Sequence, residues 1–536
     1  MSRRGNVIRL FNENASYVAA LLLVFGLSFS ESILSISSVA LFVLAFLTGN
    51  FRQKIEWIAR EKSLWALIGV FLIYLLGCLF CRDANTGMYE LKKNIFWILI
   101  PLGVAFMPKM NDRKRGLFLL SYVVIVGAAT LVATLKLLMH EHFGITDVRD
   151  ASYVSHVAFS LQIVFSIYVL VYARMKRLPV IGSIPVFGLI LWCIWLLIFL
   201  GFQKSLIGFL TLLGSGIVFL VGLIRKAPKR WVKRGLGLLL LLFLLVPPVY
   251  VGRIAYRFFH INETEPDFSL RTASGNSYWF DTSNHLLENG FHVYWYLCDA
   301  ELEKSWNSIS TVKIDEQDAA GYRVYDTLVR YMTSKGLKKD SAGVAALDSS
   351  DVNNILSGMA NYLFAEKKYT LYPRIYQTIW ELYHYSQTGD PNNQSLSQRI
   401  EYTKAAWDII RHHFWGIGTG NYRIEFEKAF ERIQSRLYPE FRFNVHNQYL
   451  NYIVKFGVPG FAVILWLLFF AIRQKKQFRN PLMVLLLIII GIACLGDTTL
   501  ETHVGLPFFL LFLSLFLWHF PQDEIQNNLP GEQERM

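Results

Sequence analysis

Residues 235–251 read Gly-Leu-Gly-Leu-Leu-Leu-Leu-Leu-Phe-Leu-Leu-Val-Pro-Pro-Val-Tyr-Val, without one charged side chain. Such a run has no place at a water-facing surface, and a bilayer core of roughly 30 Å takes about 20 apolar residues as one helix. Comparable runs recur. We read twelve spans, at about 15–30, 33–49, 64–81, 95–108, 117–139, 154–173, 180–200, 204–224, 236–252, 448–472, 481–497 and 503–520, the fourth and ninth being short. With 53% hydrophobic and 15% aromatic residues, the chain is not disordered and has the composition of a membrane protein. The expected fold is an all-α polytopic membrane protein.

The net charge of +13 does not imply nucleic acid, because it lies in short clusters between apolar runs, as the positive-inside rule requires. One set of loops is basic: Arg3, Arg4 and Arg9 begin it, Arg52, Lys54, Arg60 and Lys62 continue it, and Arg473, Lys475, Lys476 and Arg479 end it. The alternate loops hold Arg82, Lys92, Lys93, Arg149 and Lys204. This bias fits an even number of helices with both termini in the cytoplasm. Residues 1–252 then carry helices one to nine. Residues 253–446 lie outside, in the periplasm of a bacterium with two membranes. Residues 447–520 carry the last three helices, and 521–536 form a short, disordered cytoplasmic tail. No cleavable signal pattern opens the chain, so its first apolar run is expected to be a membrane helix. The five cysteines give no disulfide framework. Cys78 and Cys81 form a CxxC that reads as redox-active or, better, as small packing residues at a helix end.

The outer segment is too long and aromatic for a linker. Val352, Ile355, Leu356, Met359 and Leu363 repeat at helical steps, as do Ile400, Thr403, Ala406, Trp407 and Ile410. Tyr372–Trp380 reads as a helix entered through Pro373, and Asp390-Pro391-Asn392-Asn393-Gln394 as a loop. A mostly helical domain follows, with no alternation that predicts a sheet.

Several residues can carry chemistry. His446 stands where the polar segment meets the tenth span, and a histidine there can accept a proton near neutral pH. Gly416, Gly418 and Gly420 lack the Gly-Lys-Ser/Thr ending and the βαβ setting of a phosphate loop. They read as a tight turn ending the helix that starts near Arg399, or as a turn that brings backbone to a ligand and aims Asn421 and Tyr422. Lys204, at the outer mouth of the eighth span, is a costly charge in apolar surroundings: a functional group, or one that snorkels to the interface. Arg399 opens an amphipathic helix, and Arg423 follows the glycine turn. His156 opens the sixth span, where a packing role fits better than catalysis. Asp497 and Glu501 flank the last outer turn and can face the same cavity. There is no HExxH, no Cys/His quartet and no outer DxD pair, so neither metal nor cofactor is expected.

His446-Asn447-x-x-Leu450, followed by Gly457-Val458-Pro459-Gly460, resembles the O-antigen ligases of the O-antigen ligase/polymerase superfamily. So do Gly416-x-Gly418-x-Gly420-Asn421, Arg399 in the preceding helix, and the twelve-span plan. Lys204 stands where that family carries arginine; lysine keeps the charge but lacks the bidentate fork. The sharp motifs cover about residues 397–460, and residues 253–396 are longer than in typical ligases.

The resemblance implies a GT-C-like membrane glycosyltransferase of lipopolysaccharide biosynthesis in the inner membrane. Its donor would be a glycan on undecaprenyl pyrophosphate and its acceptor a sugar hydroxyl of lipid A-core, with no metal and with inversion. His446 would take the acceptor proton. Lys204 and Arg399 would hold pyrophosphate, each charge-assisted bond being worth about 1.5–3 kcal/mol. Asn447, Gly418, Gly420, Asn421, Arg423, His156 and Glu501 would support them. An O-antigen polymerase or a protein O-oligosaccharyltransferase would share donor and motifs. A lipid-glycan flippase would instead predict an inverted repeat and charges deep in several helices, neither of which the sequence shows clearly.

Overall fold

The computed structural model describes residues 3–47, 50–139, 148–262 and 265–520; the tail expected after Pro521 lies outside them. They form two compact units, one from the chain up to Leu240 together with the chain from Arg399 onward, the other from Leu241–Gln398. Residues 399–446 thus group with the apolar helices.

The first unit is helical. It begins α1 Arg3–Phe29, α2 Glu31–Leu47, α3 Phe51–Arg60, α4 Lys62–Cys78, α5 Ala84–Asn94, α6 Phe96–Ala105 and α7 Asp112–Leu138. Then come α8 His156–Met175, α9 Val186–Gln203, α10 Leu206–Lys226 and the long α11 Arg230–Phe259, which runs on into the second unit.

Among the described residues, six helices are long and apolar enough to cross a bilayer: α7, α8, α9, α10, α11 and Gln448–Gln474. Twelve spans were expected. The other apolar runs fold into shorter helices such as Lys62–Cys78, Pro481–Gly496 and Gly505–His519. A 17-residue helix such as α4 rises only about 26 Å. In α6, Pro101 sits inside a helix of only 10 residues. Along α11, Leu238, Leu245 and Val246 are exposed; apolar surface on that scale belongs against lipid.

The segment after the second unit returns as α18 Ser395–His412, α19 Tyr422–Arg432, α20 Gln448–Gln474, α21 Pro481–Gly496 and α22 Gly505–His519. Every residue of α22 is buried. Its Phe512 ring meets Tyr122 and Phe165 edge-on, at 4.7 Å and 4.8 Å between centroids. Two helix pairs set up the site: α4 packs on α20, and α10 on α21.

The second unit holds α12 Asp299–Ile309, α13 Val324–Ser334, α14 Ser341–Ala345, α15 Ser349–Leu356, α16 Tyr362–Glu366 and α17 Tyr372–Thr388. α17 has its proline in the first turn as expected, and Asp390–Gln394 is a loop. The helical period expected over Val352–Leu363 is interrupted: α15 ends at Leu356, and Gly358 takes a φ of +83° before α16 begins. A small sheet occurs where none was expected, between β1 Leu287–Glu288 and β2 Phe291–His292. Asn289 and Gly290 turn it, both with positive φ (49° and 82°), as a two-residue hairpin requires. Buried Glu288 accepts hydrogen bonds from Arg330 Nε (2.7 Å), Asn361 Nδ2 (2.9 Å) and the Tyr376 hydroxyl (2.9 Å).

Candidate active site

Asn447 explains the local geometry of the His-Asn-x-x-Leu stretch. Its backbone is extended, and its Oδ1 accepts from Leu450 N–H at 3.1 Å, capping α20. Its Nδ2 donates to Leu495 O at 3.0 Å, in the last turn of α21. The cap therefore ties the start of one helix to the end of another and fixes the residue just before it, His446.

The end of α21 presents carbonyls without helical partners and carries the negative end of the helix dipole. Two nitrogen-bearing side chains gather there. Arg399 donates from Nη1 to Gly496 O at 2.6 Å. His446 Nδ1 lies 3.7 Å from Oδ1 of Asp497, which caps α21 through its N–H to Ala493 O. The histidine side chain is 39% exposed and the aspartate 19%, so the imidazole is partly open to solvent while its partner is largely shielded. The Tyr402 ring lies 5.8 Å from the imidazole, and its hydroxyl is held by Phe441 O at 2.7 Å. Burial pushes the Asp497 carboxyl up, but His446, the Thr498 N–H and Arg399 outweigh it and hold the group below the usual carboxylate range. α18 starts at Ser395, so Arg399 sits in its second turn and does not open it.

Lys204 occupies the turn between α9 and α10, in the left-handed region at φ 52°. The next residue, Ser205, caps α10 through Gly208 N–H and bonds Ser160 of α8 at 3.1 Å. That is one turn along from His156, the first residue of α8. A Cβ on Gly496 would meet Ile207 Cδ1 at 3.2 Å. The turn bearing Lys204 thus reaches the same end of α21 as Arg399 and His446.

The glycine turn does other work. Gly457 breaks α20 with φ 70°, ψ 174°, which frees carbonyls of the preceding turn. Ile417 N–H donates to Val454 O at 3.0 Å and Gly418 N–H to Lys455 O at 2.8 Å, while Val458 N–H donates to Phe414 O at 3.2 Å. A Cβ on Gly416 would sit 2.3 Å from Gly457 N. On the far side, a Cβ on Gly418 would meet Gly77 O at 2.8 Å, and one on Gly420 would overlap Cys81 Sγ. Asn421 accepts from Arg82 N–H at 2.7 Å and donates to Phe80 O and Ile417 O. Gly418, Gly420 and Asn421 therefore lock the α4–α5 turn and its CxxC against the break in α20. Arg423 is exposed nearby, with its charge felt at Asp83.

Glu501 is buried in an ion cluster that sequence reasoning missed. Lys455 Nζ lies 2.7 Å from both Glu90 Oε2 and Glu501 Oε2. Lys93 Nζ lies 2.7 Å from Glu90 and 3.7 Å from Glu501, and the Tyr74 hydroxyl donates to Glu501 at 2.9 Å. Two lysines and two glutamates balance. Burial would raise the Glu501 carboxyl, but Lys455 and Lys93 hold it well below its ordinary range. A lysine at position 455, inside an apolar span, was the available signal. Asp497, read only as flanking the last outer turn, is the direct partner of His446.

A family model described as O-Antigen ligase matches residues 355–465. That stretch contains Arg399, the glycine turn, His446 and Asn447; Lys204, His156, Asp497 and Glu501 lie outside it. A comparison with curated proteins finds no match.

Proposed function

From a chain whose residues 355–465 match the O-antigen ligase model, we propose an inner-membrane enzyme. It moves a glycan from undecaprenyl pyrophosphate to a sugar hydroxyl of lipid A-core on the periplasmic side. The twelve-span topology with a periplasmic segment belongs to the same proposal. The observation that carries it is the convergence of Arg399, His446–Asp497 and the Lys204 turn on one end of α21.

Each group has a task. The acceptor hydroxyl is a poor nucleophile. His446, its Nδ1 side facing Asp497, takes the hydroxyl proton as the new C–O bond forms, a role worth about 10²–10⁴ in rate. The bond from the anomeric carbon to the pyrophosphate oxygen breaks, and its electron pair leaves with undecaprenyl pyrophosphate. Lys204 and Arg399 offset the charge that develops there. Attack opposite the leaving group inverts the anomeric centre. Asp497 stabilises the imidazolium and fixes the ring, as the carboxylate of a hydrolase triad does.

The test uses purified protein, lipid-linked glycan and lipid A-core. Glycosylated core should form with the native protein and not with His446→Ala of normal membrane insertion. Product that appears only when a second lipid-linked glycan or a protein is the acceptor would replace the ligase reading.

A further inference from the structure

The Leu241–Gln398 unit contains a cleft of about 520 Å³ that the transfer mechanism does not use. This size lies within the range of about 300–1,000 Å³ that encloses drug-sized ligands. Its walls are aromatic: Tyr294, Tyr322, Tyr325 and Trp380 line it, with Tyr322 51% exposed. The exposed Gln377 amide also lines it, whereas Gln394 is buried, its Nε2 on His384 and its Oε1 accepting from Ser397 at 3.0 Å.

The charges around the cleft are already satisfied. Arg330 bonds buried Glu288 at 2.7 Å and lies 3.9 Å over the Trp380 ring. Asp326 faces Arg323 at 3.5 Å. Glu381 accepts the Leu396 N–H at 2.8 Å. His384 stacks on Trp380 with centroids 4.9 Å apart and bonds Gln394; burial lowers its pKa. An anionic ligand would have to draw Arg330 away from buried Glu288, leaving that carboxylate without its cation. The cleft instead suits a molecule with flat C–H faces for the rings and neutral hydroxyls for the Gln377 amide.

We propose that this cleft binds an uncharged oligosaccharide of two or more rings, and that its occupant is the glycan the enzyme transfers. The choice of occupant rests on the function proposed above; the sugar chemistry rests on the cleft alone.

The experiment uses full-length protein in detergent and, as probe, the source cell's own glycan freed from its carrier by mild acid. Binding is read by saturation-transfer NMR and tryptophan fluorescence. We expect Tyr322→Ala and Gln377→Ala to weaken binding at least tenfold with unchanged melting temperature. Tyr322→Phe, which keeps the ring, should bind within threefold of native, and His446→Ala should bind as native. No binding, native-like binding in both alanine variants, or binding lost in His446→Ala overturns the cleft. If His446→Ala still transfers glycan while the cleft variants lose binding, the proposed mechanism falls and the cleft stands. If His446→Ala is inactive while the cleft variants still bind tightly, the cleft falls and the mechanism stands.

Discussion

His446 Nδ1 and Asp497 Oδ1 face each other at 3.7 Å across the junction of two helices. The contact joins the start of α20 to the end of α21, so one carboxylate answers both for the fold and for the imidazole. Asp497→Asn keeps the shape and removes the charge. Transfer should fall at least about tenfold, since an oriented, charge-stabilised base is worth more than a free one. The melting temperature at neutral pH should fall modestly, because the amide lacks the stabilisation the carboxylate gives there. Steady-state transfer by both proteins checks this, and equal rates would detach Asp497 from the chemistry.

The same carboxyl predicts a pH dependence of stability. It is held below its usual range in the folded chain, so the unfolded chain binds that proton more readily. Its contribution is complete above the unfolded value of about 3.9 and is lost as pH falls through the lower folded value. Thermal melts from pH 6 down to pH 3 should show a steeper decline for the native protein than for Asp497→Asn.

Lys204 separates charge from backbone. Its left-handed conformation, φ 52°, suits glycine better than lysine. Lys204→Gly should therefore insert and fold normally yet lose most transfer, while Lys204→Arg should retain it. Equal activity in the two variants would remove Lys204 from the site.

The buried cluster is a stability device. Lys455→Met leaves Glu90 and Glu501 with only Lys93 between them in the cluster described above. Breaking a buried pair on one side costs about 3–5 kcal/mol. Adding Glu90→Gln restores charge balance and should recover part of the loss. Melting temperatures in one detergent, for single and double variants, measure that recovery.

Much of this was legible from the chain. Apolar runs marked the helices, and Arg399 and His446 both lie at the end of α21. Helix ends differ from the apolar runs in both directions, because a hydropathy run does not show where the helix hands over to a turn: the 503–520 run yields Gly505–His519, the 236–252 run Arg230–Phe259. The hairpin at Leu287–His292 had a signal, Asn289-Gly290, but its strands are two residues each, too short to alternate. Lys455 and Glu90 are 365 residues apart, and nothing local to either announces the other.

The tight approach of Gly416 to Gly457 reaches beyond a single molecule. A methyl group on Gly457 would meet Phe414 O at 2.4 Å, and one on Gly416 would meet Gly457 N at 2.3 Å. Neither position can change by a small step, and altering one does not open room at the other. In any lineage that keeps this broken helix, the two glycines should be inherited together, so losing either one from a descendant would signal that the site itself had been abandoned.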